Sequence, residues 1–161
     1  MQKRTITVDL EIYSDLSELP LTVQKLIQKA RKAREEAYAP YSLFRVGASL
    51  RLTDGTIVTG NNQENSAYPS GLCAERVAVF QAATRFPGAV ISHLALTVRS
   101  EKKEIDLPTP PCGACRQVLA EYEHRQGSPI IIYFTGETGS VVRAPSVASI
   151  LPMVFDRSFL I

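Results

Sequence analysis

Ile6, Val8, Leu10 and Ile12 alternate with polar residues, a period-two pattern that predicts a half-buried strand near the start of the chain. The period then changes. From about Pro20, the residues Val23, Leu26, Ile27, Ala30, Ala33 and Ala37 recur at helical spacing, and the pattern stops before Pro40. Two apolar stretches, 46–53 and 56–61, flank Asp54-Gly55, a strong two-residue hairpin signal. A further helix is expected from near Cys73 towards Arg85, ahead of Pro87-Gly88. The run 90–98 reads as a strand, and the charged, proline-rich stretch 100–111 as an exposed loop. A helix from Gly113 to about His124 precedes the β-branched strand 130–134. Glu137-Thr-Gly139 then turns into a last strand near Val141-Val142, and Ser146 caps a short closing helix.

A hairpin followed by helices alternating with strands predicts an α/β domain whose helices cover a mixed sheet. The 161 residues suffice for one domain with a proper core, at 20–161, preceded by a strand or arm at 1–19 that packs against another subunit. A net charge of +2, with signs interspersed, leaves no footprint for nucleic acid or membrane. The densest basic stretch, 25–34, is the solvated side of the first amphipathic helix. No apolar run reaches bilayer length and no export signal is visible, so a reducing, cytoplasmic setting is expected.

Candidate chemistry sits in two phrases, Cys73-Ala74-Glu75 and Pro111-Cys112-Gly113-Ala114-Cys115, which contain all three cysteines. Three thiolates are one short of a closed zinc tetrahedron; catalytic zinc sites use three protein ligands and leave the fourth corner to water. Both phrases open helices, whose free N–H groups and dipoles stabilise thiolates. Glu75 lies two residues after the first cysteine, placed to exchange protons with a metal-activated water. Arg76 follows, placed to donate to the sulfurs and offset the electron donation of three thiolates. Other readings exist. Free cysteines also pack as small apolar residues. A Cys112–Cys115 redox pair would leave Cys73-Ala-Glu unexplained, and an odd, sparse count argues against a disulfide framework. A structural site would need His93 or His124 as fourth ligand, but His93 reads as a core or edge residue and His124 as a solvated helix end.

The C-x-E and P-C-x-x-C pair resembles the signature of the zinc nucleobase deaminases. From about residue 20 onward, the chain resembles the small, homotetrameric, all-cysteine cytidine deaminases. The likeness is carried by Ala37-Tyr-Ala-Pro-Tyr-Ser-Leu-Phe44-Arg-Val-Gly47-Ala, Asn62-Gln-Glu64-Asn65-Ser-Ala-Tyr68, Cys73-Ala-Glu75-Arg76, Pro111-Cys-Gly-Ala-Cys-Arg-Gln117 and Leu151-Pro-Met-Val-Phe155. The resemblance implies a three-layer α/β/α sandwich around a mixed five-stranded sheet, here with an extra N-terminal strand or arm. It implies one zinc per chain on Cys73, Cys112 and Cys115, with Glu75 as proton shuttle and Arg76 beside the sulfurs. The implied reaction is hydrolytic deamination of cytidine and deoxycytidine to uridine and deoxyuridine plus ammonia, in pyrimidine salvage.

The same resemblance assigns Asn62 and Glu64 to the ribose 3′-hydroxyl, and the Ala74 N–H and Pro110 carbonyl to the base and its leaving amine. It places Phe44 and Phe155 about the pyrimidine, with Phe155 crossing from a neighbouring subunit, and Tyr68 near the sugar 5′-hydroxyl of an adjoining site. Read without it, Asn62 and Glu64 are turn residues and the two phenylalanines are core aromatics. Two other functions compete: the same chemistry on an antibiotic or nucleic-acid substrate, and a zinc-stabilised binding protein without turnover. The near-neutral charge and Asn62-x-Glu64-Asn65 favour a free nucleoside. A binding protein would show a fourth protein ligand.

Overall fold

The computed structural model describes residues 1–160. The elements run β1 (Glu11–Tyr13), α1 (Leu21–Glu35), β2 (Phe44–Leu52), β3 (Ile57–Asn61), α2 (Ala74–Arg85), β4 (Ile91–Ser100), α3 (Gly113–Gln126), β5 (Ile131–Thr135), β6 (Val141–Ala144) and α4 (Val147–Ile150). They build a six-stranded sheet in the order β1-β6-β5-β4-β2-β3. Neighbours are antiparallel except β4 and β5, whose parallel pairing needs the crossover that α3 supplies.

Alternation along the strands sorts the core into two layers. Ala95, Tyr133 and Val141 face Leu19, Val23, Leu26, Ile27 and Ala30 on the α1 side. Their neighbours Leu94, Leu96, Ile132, Phe134 and Val142 join Ala78, Val79, Leu119 and Val147 on the other. The result is the expected α/β/α sandwich. The strand count follows the expectation of five plus one, because β1 adds to the outer edge of β6.

Asp54-Gly55 forms the hairpin between β2 and β3, with Gly55 at φ +91° where the turn demands positive φ. Ser146 caps α4 by accepting from the Ser149 N–H, as expected. The loop after β4 is charged and mostly exposed, but it is tied down: Ile105 O accepts from Glu137 N at 2.7 Å.

Two expectations need correction. The half-buried strand over Ile6–Ile12 shrinks to Glu11–Tyr13, because β6 has only four residues and offers partners at Val141, Val142 and Arg143. Ile6, Val8, Leu10 and Ile12 are all exposed. The first helix ends at Glu35, so Ala37, although buried, lies beyond it.

Gly60 sets the position of α2. A Cβ there would lie 2.6 Å from both Ala74 O and Ala78 N, so α2 rests directly on the β3 backbone. Gly60→Ala is expected to destabilise the fold by about 1–3 kcal/mol, the usual cost of overpacking where backbone must shift. Urea denaturation checks this, and retained metal per chain in the same variant reports whether α2 has moved.

Candidate active site

Cys73 and Cys112 are the N-caps of α2 and α3, both extended, with ψ 155° and 165°, and neither uses its side chain as a cap. The first N–H groups of each helix therefore lack intrahelical acceptors and turn their partial positive charge towards the sulfurs. Cys115 lies in the first turn of α3 and is fully buried. The three Sγ atoms lie within 4.8 Å of one another, with Cys73 and Cys112 at 3.9 Å. Tetrahedral zinc with sulfurs at about 2.3 Å spaces its ligands by about 3.8 Å, so the set fits the ion after slight contraction. All three are free thiols, and a disulfide would need about 2.05 Å. Among the described residues no fourth ligating side chain joins this set, which is the composition of a catalytic and not a closed structural site.

The sulfurs compete for negative charge. The Cys73 thiol is pushed down to about 5, chiefly by its hydrogen bond with Cys115, with Arg76 and Cys112 helping against burial. Cys115 moves the other way: that same hydrogen bond, burial and the charges of Glu75 and Cys73 hold its proton on. A divalent cation supplies the charge that lets all three ionise together. Arg76 Nη2 donates to Cys73 Sγ at 3.8 Å and to Gly71 O at 3.3 Å.

Glu75 is only 3 % exposed, and its Oε2 has no hydrogen-bond partner among the described residues. Burial, reinforced by the Cys73 charge, raises its pKa to about 7. A buried acid with one free oxygen, poised near neutrality beside a three-thiol cluster, suits proton transfer.

A cleft of about 760 Å³ opens over this cluster, and Phe44, Asn62, Glu64, Tyr68, Glu75 and Pro110 all line it. Glu64 is held from three sides, accepting from Tyr41 N at 2.9 Å, Ser42 N at 3.2 Å and Ser42 Oγ. Burial opposes its ionisation, but those hydrogen bonds outweigh it and hold the carboxyl below its ordinary range. Asn62 is more committed than expected: Oδ1 accepts from Val46 N at 2.8 Å and Nδ2 donates to Phe44 O at 2.9 Å. Its amide bridges the end of β2.

Tyr68 stands at the rim, 75 % exposed and edge-on to Tyr41 with centroids 5.9 Å apart. Ala74 is the first residue of α2 and fully buried. Phe155 is not brought to this cleft; it is 58 % exposed and stacks on Phe159 at 5.5 Å. Neither histidine approaches the sulfurs as a ligand: His93 sits in β4 stacked on Tyr133, and His124 in the last turn of α3.

Sequence reasoning passed over Ser42, which clamps Glu64, and Arg116, whose Nε donates to Pro111 O at 2.7 Å and Nη1 to Ile150 O at 2.9 Å. Gln117 likewise holds Phe155 O at 2.7 Å. All three lie inside the quoted phrases. Their polar side chains next to the chemistry were the available signal.

The model of the cytidine and deoxycytidylate deaminase zinc-binding region matches residues 21–127. The chain belongs to this family. It is 45 % identical over 140 residues to a cytidine deaminase of Sporosarcina psychrophila, covering 87 % of this chain and 96 % of that one. A cytidine deaminase of Halalkalibacterium halodurans is 48 % identical over 98 residues, 61 % of this chain and 70 % of that one. The crystal structure of cytidine deaminase from Burkholderia pseudomallei superposes with a TM-score of 0.71 at 39 % identity, over 81 % of this chain and 97 % of that one. Zinc is the metal of this deaminase family, and the three-sulfur cluster is built for it.

In metal-free protein the proton stays on Glu75 up to about pH 7, whereas an unfolded chain releases it near 4.5. The stability tied to the protonated acid is full below the unfolded value and is lost as pH rises through the folded one. Glu75→Gln cannot ionise, so it should exceed the wild type by about 1–3 kcal/mol at pH 8, with the gap closing by about pH 4, below the unfolded value. Urea denaturation of chelator-treated proteins at both pH values measures this; a gap that ignores pH would show that no buried acid is involved.

Proposed function

We propose that this chain hydrolytically deaminates cytidine and deoxycytidine to uridine and deoxyuridine, releasing ammonia, as a step of pyrimidine salvage. The observation that carries the reading is the convergence of three sulfurs with one buried carboxyl, one oxygen of which is unpartnered, at the floor of a cleft of about 760 Å³. The named relatives, which are cytidine deaminases, support it. Residues 20–161 form the catalytic domain, and 1–19 are an appended strand or arm.

Cys73, Cys112 and Cys115 hold one zinc ion, which when bound supplies the Lewis acidity that makes water nucleophilic near neutral pH. Glu75 moves the protons. Its carboxylate takes one from the attacking water and delivers it to ring N3 as the C4–O bond forms. It then takes the proton of the new C4 hydroxyl and passes it to the amino group, so that the C4=O bond forms as the C4–N bond breaks and ammonia leaves neutral. Arg76 donates to Cys73 and moderates the electron donation of the sulfurs. Glu64, fixed by Ser42 and the Tyr41 amide, keeps lone pairs for a ribose hydroxyl. Asn62 holds β2 in place with half of its amide's hydrogen-bonding capacity and offers the rest to the ribose 3′-hydroxyl, and Phe44 packs against the pyrimidine. The Ala74 N–H and Pro110 carbonyl contact the base and its departing amine.

Purified protein offered cytidine should release ammonia and uridine, whereas cytosine, CMP and adenosine should turn over far more slowly. Glu75→Gln should retain zinc and lose at least ~10²-fold in turnover, the low end for a missing general acid/base. Near-normal activity in a zinc-loaded variant would remove Glu75 from the mechanism.

The enzyme acts in the cytoplasm as a homotetramer with shared sites. Support comes from Phe155, which is exposed and outside its own chain's cleft, and from Tyr68 at the rim. A symmetric interface would bury both. Mixing Glu75→Gln with Phe155→Ala under subunit exchange should partly restore activity, because some sites then combine the intact residue from each chain. Failure to complement after demonstrated exchange would place Phe155 outside the site. Among the described residues no helix is long and apolar enough to cross a membrane.

A further inference from the structure

The family match begins at residue 21, and the segment before it carries a surface that deamination does not use. Ile6, Val8 and Leu10 are 50, 42 and 43 % exposed, an apolar row on alternate residues. Among the described residues, 1–9 belong to no helix or strand and take part in no hydrogen bond, so the main-chain donors and acceptors of a strand-like sequence are open. Lys3, Arg4 and Asp9 enter no ion pair there either. Leading directly into β1, the outermost strand of the sheet, this segment is a free template for strand pairing.

We propose that residues 3–9 pair antiparallel with the same residues of a second copy of this chain, about a two-fold axis through Ile6. Self-pairing about an axis normal to the ribbon requires opposed residues of the same parity, since both must lie on one face. Centring on Ile6 sets Ile6 against its own counterpart, Thr5 against Thr7, Arg4 against Val8 and Lys3 against Asp9. Two Lys–Asp pairs and two Thr–Thr pairs then line one face, each a favourable cross-strand combination. The other face carries both Ile6 and both Val8 side chains, with the Arg4 stems lying along them.

Neighbouring registers do worse. A centre at Thr5 sets Lys3 against Thr7 and leaves Asp9 without a basic partner. A centre at Thr7 turns Lys3 onto Glu11, which Arg143 and the Tyr13 hydroxyl already occupy. The Ile6 register engages the unengaged charges and leaves the Glu11 contacts intact. It joins two six-stranded sheets through a two-stranded ribbon, independently of how the catalytic domains assemble.

Cysteine cross-linking in the full-length, zinc-loaded protein reads the register. Directly opposed residues have Cα atoms about 4.5–5.5 Å apart, within disulfide reach. Residue 3 and its own counterpart would be offset by six residues, about 20 Å. Ile6→Cys should therefore form a covalent dimer on mild oxidation. Lys3→Cys and Asp9→Cys should each stay uncross-linked alone and give a mixed dimer when combined. Exchange of the charges, Lys3→Asp with Asp9→Lys in one chain carrying Ile6→Cys, should preserve the cross-link that Lys3→Asp alone weakens. Cross-linking of Ile6→Cys at wild-type background, or equal self-cross-linking at positions 3, 6 and 9, would overturn the pairing; the latter would mean that the arm packs loosely on some other surface. Zinc content and cytidine turnover are expected to match wild type in every variant, so a negative result here leaves the deaminase reading untouched.

Discussion

A single methyl group on Gly60 would collide with the first turn of α2, and that tight contact governs the geometry of the whole centre. The sulfur cluster needs two helix N-termini to converge on a few ångströms of space. Each helix is held by a different part of the sheet. α2 rests on β3 at the sheet's far edge, and α3 crosses from β4 to β5 in its middle. Only if α2 approaches the strand backbone closely can Cys73 meet the two cysteines of α3. The sheet and its packing are therefore the means by which ligands 39 residues apart come to 3.9 Å.

The centre works against the stability of the domain that holds it. Three thiols within 4.8 Å disfavour a common ionised state, and a nearly inaccessible carboxyl lacks a partner for one oxygen. A protein selected for stability alone would replace Glu75 with an apolar residue. Keeping an acid there costs free energy, and the return is a proton held near pH 7 in a place that water cannot easily screen. Metal binding relieves much of the strain among the sulfurs, which couples folding of the two phrases to zinc.

Much of this was legible in the chain because the signals were local. The hairpin rested on Asp54-Gly55, the helix faces on apolar spacing, and the ligand set on there being three cysteines in two helix-opening phrases. What escaped depended on partners distant in sequence. The N-terminal alternation predicts a longer strand than exists, because its length is set by β6, more than a hundred residues away. Asn62 reads as a ligand by resemblance, but the half of its amide's hydrogen-bonding capacity that goes to Phe44 and Val46 belongs to the register of β2 and β3 and to no motif. Ser42 and Arg116 are visible as polar residues, but their partners are carboxylates and carbonyls that only the fold supplies.

Arg116 joins the carbonyls of Pro111 and Ile150 through one guanidinium, and the second of these lies 34 residues beyond it in sequence. Ile150 closes α4, and Pro111 directly precedes the ligand Cys112. One guanidinium therefore ties the closing helix to the backbone that leads into the sulfur cluster. The last helix belongs to the scaffold of the centre although no residue of it lines the cleft. A change that loosens α4 reaches the sulfurs through this one side chain.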